Sequence, residues 1–110
     1  MNIKALAALA IGAALLVALP ASAATPIYKG TVGPGFTIKM LTQPKTPGTI
    51  KLVVQDKSNA HNFHLTGPGV NVKTSVPVVG TKTFTVTLKK GVYKFICDPH
   101  PFMKGSFTVK

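Results

Sequence analysis

The sequence predicts an all-β domain: two antiparallel sheets packed as a sandwich. Three observations predict it. Apolar and polar residues alternate over several short runs, the clearest being residues 49–56, 81–88 and 92–97. Those runs are filled by Val, Ile, Thr, Phe and Tyr, the residues that suit a pleated surface. Glycine and proline turn signals separate them, and beyond the N-terminal stretch no window shows the three-to-four-residue apolar spacing of a helix.

The first residues stand apart from this pattern. Met1-Asn2-Ile3-Lys4 is a short basic start, residues 5–19 are an uncharged apolar run, Pro20 breaks it, and Ala21-Ser22-Ala23 fits a small-residue cleavage site. The apolar run is shorter than the roughly 20 residues a spanning helix needs. Residues 1–23 are therefore expected to be a cleaved export signal. Residues 24–110 remain as one small domain in a periplasm or at a cell surface, a monomer with no membrane span.

Taken in order, residues 27–32 form a first strand, closed by Gly33-Pro34-Gly35. Phe36, Ile38 and Met40 alternate with Thr37 and Lys39 as a second strand with one buried face. Residues 43–48, with Pro44, Pro47 and Gly48, are a loop. A third strand spans 49–56, with Ile50, Leu52 and Val54 inward and Val53 ill-placed on the outer side. Lys57-Ser58-Asn59 breaks the pattern before residues 60–65, and residues 66–80 read as the longest irregular stretch, a loop holding a short strand or turn. Strict alternation returns over 81–88, with Phe84, Val86 and Leu88 inward. Lys89-Lys90-Gly91 turns into a strand over 92–97, and residues 104–109 form the last one. Six to eight short strands of this kind make a two-sheet sandwich.

Charge narrows the partners. Residues 24–110 hold twelve lysines against Asp56 and Asp98, with neither arginine nor glutamate, a net charge of about +10. Such a field speeds encounter with an acidic partner; lysines on sheet faces and edges also block edge-to-edge pairing. Nucleic acid is excluded as the partner: there is no arginine for bidentate contacts, and the few aromatics sit mostly at core positions.

The chemistry converges near the C-terminus. Cys97, His100 and Met103 lie within seven residues, and Ala60-His61-Asn62-Phe63-His64 offers a further imidazole. A lone cysteine cannot form an internal disulfide, and a free thiol in an exported protein is open to oxidation, which a bound metal prevents. One thiolate, two imidazoles and a weak thioether suit one copper ion, whereas zinc seldom employs methionine. Tyr93, Phe95 and Cys97 share one strand face, so the sulfur points inward. Pro99 and Pro101 flank His100 and restrict the ligand loop. His61 shares its face with Phe63 and Leu65, whereas His64 goes with Ala60 and Asn62. His61 is thus the expected ligand, and the reverse requires a bulge.

Ala60-His61-Asn62-Phe63 together with Cys97-Asp98-Pro99-His100-Pro101-Phe102-Met103-Lys104-Gly105 resembles the copper-site pattern of the cupredoxins, the plastocyanin and azurin group, and its short loop is most similar to that of amicyanin. The resemblance runs from about residue 49 to 109. It implies a Greek-key sandwich with a type 1 copper near one end, His61, Cys97 and His100 as strong trigonal ligands and Met103 as the long axial one. Asn62 matches the residue that in the family ties the two ligand loops together and offers an N–H to the sulfur. Pro99 has no N–H to offer. Asp98 departs from the Ser or Thr common after the family's cysteine, so a carboxylate is expected to bear on the reduction potential.

The expected function is outer-sphere transfer of single electrons between partners by a Cu(I)/Cu(II) couple, with delivery of Cu(I) to a partner as the alternative. His100 is expected nearest solvent, ringed by Pro34, Pro68, Pro101 and Phe102 as an apolar docking patch for an acidic redox protein. An enzyme is not expected: a Cys/His hydrolase needs a paired base and a cleft, for which so small a sandwich with two carboxylates has little room.

Overall fold

The computed structural model describes residues 23–110, so the leader expected over residues 1–23 falls, apart from its last residue, outside the described residues. Eight strands follow: β1 Ile27–Val32, β2 Ile38–Met40, β3 Gly48–Asp56, β4 His64–Gly67, β5 Val70–Lys73, β6 Gly80–Leu88, β7 Gly91–Cys97 and β8 His100–Val109. They form two four-stranded sheets in the orders β2-β1-β3-β6 and β5-β4-β7-β8. The chain crosses between the sheets after β3, after β5 and after β6, so the apolar face of each sheet is covered by the other. No helix among the described residues is long and apolar enough to cross a membrane.

Alternation sets which side chains enter the core. On β3, Ile50, Leu52 and Val54 are buried while Lys51 and Gln55 are exposed, and β3 pairs with β6 from Gly48↔Leu88 to Asp56↔Gly80. One pairing differs from the antiparallel expectation: β1 runs parallel to β3, Ile27 opposite Lys51 through Val32 opposite Asp56. The chain goes out along β2 on one side of β1 and returns through residues 41–47 to its other side, which reverses the direction an adjacent hairpin would give.

Residues 66–80 hold more order than their composition suggests. Pro68 and Gly69 form the turn of a hairpin in which Gly67 faces Val70 and His64 faces Lys73. Proline fixes φ at the first turn position and Gly69, at φ +70°, supplies the left-handed second one. Each strand is four residues long, too short for its alternation to stand out. β8 likewise starts at His100 rather than at Lys104.

Two aromatic stacks fill the core, Phe63 on Phe95 with centroids 5.4 Å apart and Tyr93 on Phe107 at 5.2 Å. The buried Tyr93 hydroxyl accepts the Lys89 backbone N–H at 2.8 Å and has the Lys89 and Pro68 carbonyls within 3.1 Å, so its burial leaves no polar atom unpaired. The Phe95 ring lies across Gly105, its cross-strand partner, where a Cβ would collide with it. Gly105→Ala is expected to cost about 1–3 kcal/mol through displacement of that ring, read from the denaturation midpoint of the metal-free protein. An unchanged midpoint contradicts this packing.

Asp56 ends β3 with only 3% of its surface exposed. Its Oδ1 accepts the Ser58 N–H at 3.0 Å, and its buried Oδ2 has no partner. Burial pushes its carboxyl above the ordinary range, offset only in part by the Ser58 N–H and by nearby His61. A carboxyl with a folded pKa above its unfolded value of 3.8 favours the folded state while protonated. Stability is therefore lost as pH rises from the unfolded pKa through the folded one. Asp56→Asn is expected to stabilise the metal-free protein by about 1 kcal/mol at neutral pH, an advantage that shrinks away as pH falls below 3.8. A variant less stable than the parent at neutral pH contradicts it.

Candidate metal centre

β7 delivers Tyr93, Phe95 and Cys97 to the inner face, and Cys97 at its end is wholly buried. Asp98 and Pro99 then turn the chain so that Cys97 faces His100 directly. The register slips here. Ile96 lies opposite Lys104, so Pro101, Phe102 and Met103 are extra residues on β8. Pro101 has no N–H for a ladder, so a bulge at this point loses little pairing. The slip leaves His100 half-buried at the rim and returns Met103, 2% exposed, to the inner face. His61 arrives from the crossover between β3 and β4, 4% exposed.

Three donor atoms converge at this end. His61 Nδ1 and His100 Nδ1 are 2.9 Å apart, and each lies 3.7 Å from Cys97 Sγ. A triangle with those sides has a point about 2 Å from all three corners, close to metal–imidazole and metal–thiolate bond lengths of about 2.0–2.3 Å. No carboxylate belongs to this cluster. Two imidazoles and a thiolate with a buried thioether three residues further on form a soft donor set that fits copper.

The sulfur's hydrogen-bonding environment is set by Asn62. Its backbone N–H points at Cys97 Sγ at 3.5 Å. Its side chain is held at both ends by one residue: Asn62 Oδ1 accepts the Asp98 N–H and Asn62 Nδ2 donates to Asp98 Oδ2, each at 2.8 Å. Nδ2 also lies 3.3 Å from the Thr74 carbonyl. Burial raises the Asp98 pKa, but the hydrogen bonds from His64 and Asn62, with the charges of His64 and Lys73, outweigh it and hold the carboxyl below its ordinary range. Pro99 is exposed in the turn. His64 points away from the donor cluster, its Nδ1 2.8 Å from Asp98 Oδ1.

An aromatic cover lies over the imidazoles. Phe36 sits 5.4 Å from the His61 ring, 5.3 Å from His100 and 5.5 Å from Phe102, yet is 65% exposed. It does not share the buried face of Ile38 and Met40 as alternation predicts. The turn continues through Thr37, whose hydroxyl donates to the Pro34 carbonyl at 3.0 Å, and pairing begins only at Ile38 opposite Val32. The signal was present in Gly33-Pro34-Gly35 directly before it. Pro34, Phe36 and Phe102 line one groove, and Pro101 is exposed beside Phe102. Pro68 does not join them: β4 runs away from the metal end, its Thr66 opposite Lys94, and Pro68 packs at the far end against Gly91 and the Tyr93 hydroxyl.

A model of the cupredoxin-like domain matches residues 6–109. Amicyanin-alpha of Methylorubrum extorquens is 42% identical over 53 residues, which are 46% of this chain; the match spans 44% of that relative's length. Among solved structures, reduced auracyanin from Roseiflexus castenholzii superposes with a TM-score of 0.58 at 23% identity, over 80% of this chain and 98% of that one. Reduced rusticyanin gives 0.58 at 23% identity, over 81% of each. These two share the fold. With the family model covering nearly the whole sequence, the chain belongs to the cupredoxin-like family of blue copper proteins.

Proposed function

We propose that this cupredoxin carries single electrons between redox proteins outside the cytoplasm, holding one type 1 copper through His61 Nδ1, Cys97 Sγ and His100 Nδ1, with Met103 as a weak fourth ligand. The observation that carries the reading is the donor triangle of 2.9, 3.7 and 3.7 Å. Copper, when bound, supplies a one-electron Cu(II)/Cu(I) couple. The protein's own part is to fix the donors and keep them dry. Cys97 is wholly buried and gives up its proton when it becomes a ligand. His61 is closed in by the crossover, and the stack of Phe63 on Phe95 lies in the core beneath. Donors held in one arrangement need little movement when charge changes, and so one bound geometry serves both oxidation states.

His100 is the half-buried donor, so a partner must approach over it, Phe36, Phe102, Pro34 and Pro101. Beside this apolar rim runs a groove lined by Lys39, Lys57 and Lys104. That charge suits an acidic redox protein, and the apolar rim gives close contact once it arrives. Export of the chain by its first 23 residues fits a family whose members are typically periplasmic.

Adding Cu(II) to the metal-free protein is expected to give an intense blue absorption that saturates at one copper per chain and is absent from Cys97→Ser. A colourless complex overturns the type 1 assignment. The charge reading has its own test in stopped-flow kinetics. At low ionic strength an anionic oxidant such as ferricyanide should react with the reduced protein about tenfold or more faster than a cationic oxidant of equal driving force. The gap should close near 1 M salt, where screening reaches about 3 Å. Equal rates at low salt contradict it.

A further inference from the structure

Asp98 does more than clamp Asn62. Its second oxygen, Oδ1, receives His64 Nδ1 at 2.8 Å, while Oδ2 holds the Asn62 amide at the same distance. The His64 ring is fixed at its other end too, with Nε2 2.7 Å from Asn71 Oδ1 on β5. An ionised carboxylate only accepts, so the proton on Nδ1 is fixed and His64 is the donor. A continuous chain therefore runs from Asn71 through His64, Asp98 and Asn62 to the Asn62 N–H that faces Cys97 Sγ at 3.5 Å.

We propose that His64 is a positioning residue for the copper thiolate: through Asp98 it holds the Asn62 N–H on the Cys97 sulfur and offsets the Asp98 charge, raising the reduction potential. This rests on the copper site proposed above. His64 touches neither the sulfur nor the two imidazoles that define the donor triangle; it acts only through Asp98. The carboxylate is what makes this reach possible. A hydroxyl at position 98 has one side-chain oxygen and cannot hold His64 and the Asn62 amide at once in this way, whereas a carboxylate has two. The side chains of His64 and Asp98 are 19% and 41% exposed, so the brace reaches the protein surface beside the metal end.

Two effects follow from removing His64, and they share a sign. Asp98 keeps its negative charge near the metal with one N–H fewer on Oδ1 to offset it. The clamp on Asn62 also loosens, weakening the N–H directed at the sulfur. Both favour Cu(II) over Cu(I), because hydrogen bonding and charge around the cysteine sulfur tune the couple. The potential must fall.

The test is a double-mutant cycle on the copper-loaded full chain with potential and visible spectrum as readouts, supported by the Asn62 amide signal in the metal-free protein. His64→Ala should lower the potential, shift the thiolate-to-copper absorption band and reduce hydrogen-exchange protection of the Asn62 N–H. His64→Gln, which keeps a side-chain N–H for Asp98, should recover most of each change. In an Asp98→Thr background, His64→Ala should have almost no further effect. If His64→Ala lowers thermal stability while potential, band and Asn62 protection stay put, His64 is only a structural residue and the proposal is overturned. An equal drop in potential with and without Asp98 overturns it as well. Should His64→Ala not fold, His64→Leu, which fills the site without an N–H for Asp98, is compared in the two backgrounds: coupling through Asp98 supports the brace and additivity rejects it. A parent chain that forms no blue site fails at the earlier step, through the copper reading itself.

Discussion

The metal end depends on the closure between Asn62 and Asp98. His61 and Cys97 lie 36 residues apart and on different elements, one in the crossover from β3 to β4 and one at the end of β7. A buried amide side chain that accepts from Asp98 N–H and donates to Asp98 Oδ2, each at 2.8 Å, ties crossover to hairpin. Phe63, next in sequence, closes the other side: its N–H meets Thr74 Oγ1 at 2.9 Å and its carbonyl accepts the Thr74 N–H at 3.0 Å. With crossover and hairpin fixed to each other, His61, Cys97 and His100 have nowhere else to point.

The rest of the sandwich serves that end through packing. Tyr93, Phe95 and Cys97 occupy successive inward positions on β7, so the strand that delivers the sulfur also carries two of the largest core rings. Glycine opposite Phe95 lets the β7–β8 pair close while the ring lies flat across it. The β8 bulge then uses three unpaired residues to put His100 at the rim and Met103 inside. Lysines occupy outward positions, as Lys51 on β3 and Lys94 on β7 illustrate, and Lys39, Lys57 and Lys104 line the groove that the apolar rim residues Pro34, Phe36 and Phe102 share.

Much of this was legible in the sequence, because period-two alternation fixes which face each residue takes. Ile50, Leu52 and Val54, or Phe95 and Cys97, could be placed inward from pattern alone. His61 is inward as expected, but not through alternation: residues 61–63 precede β4 and are all buried, Asn62 included. What escaped was whatever depends on chain direction rather than on face. Pro68 looked like a candidate neighbour of the metal loop, yet β4 runs away from that loop and carries it to the opposite end. Phe36 sits in phase with Ile38 and Met40 but belongs to a turn, so phase said nothing of its direction. The parallel pairing of β1 with β3 is set by a crossover that leaves no mark on local composition. The sequence set His64 apart from the face of His61, and it is half-buried; that its partner is Asp98 required the register of β4 against β7.

If one prebuilt donor set serves both oxidation states, as proposed, the protein is an electron carrier rather than a vehicle for copper. Voltammetry of the copper-loaded protein, repeated with a Cu(I) chelator such as bicinchoninate in the solution, tests this most directly. One reversible one-electron wave that survives repeated cycling with the chelator present is the expected result. A wave that disappears after the first reduction, as copper passes to the chelator, would contradict it.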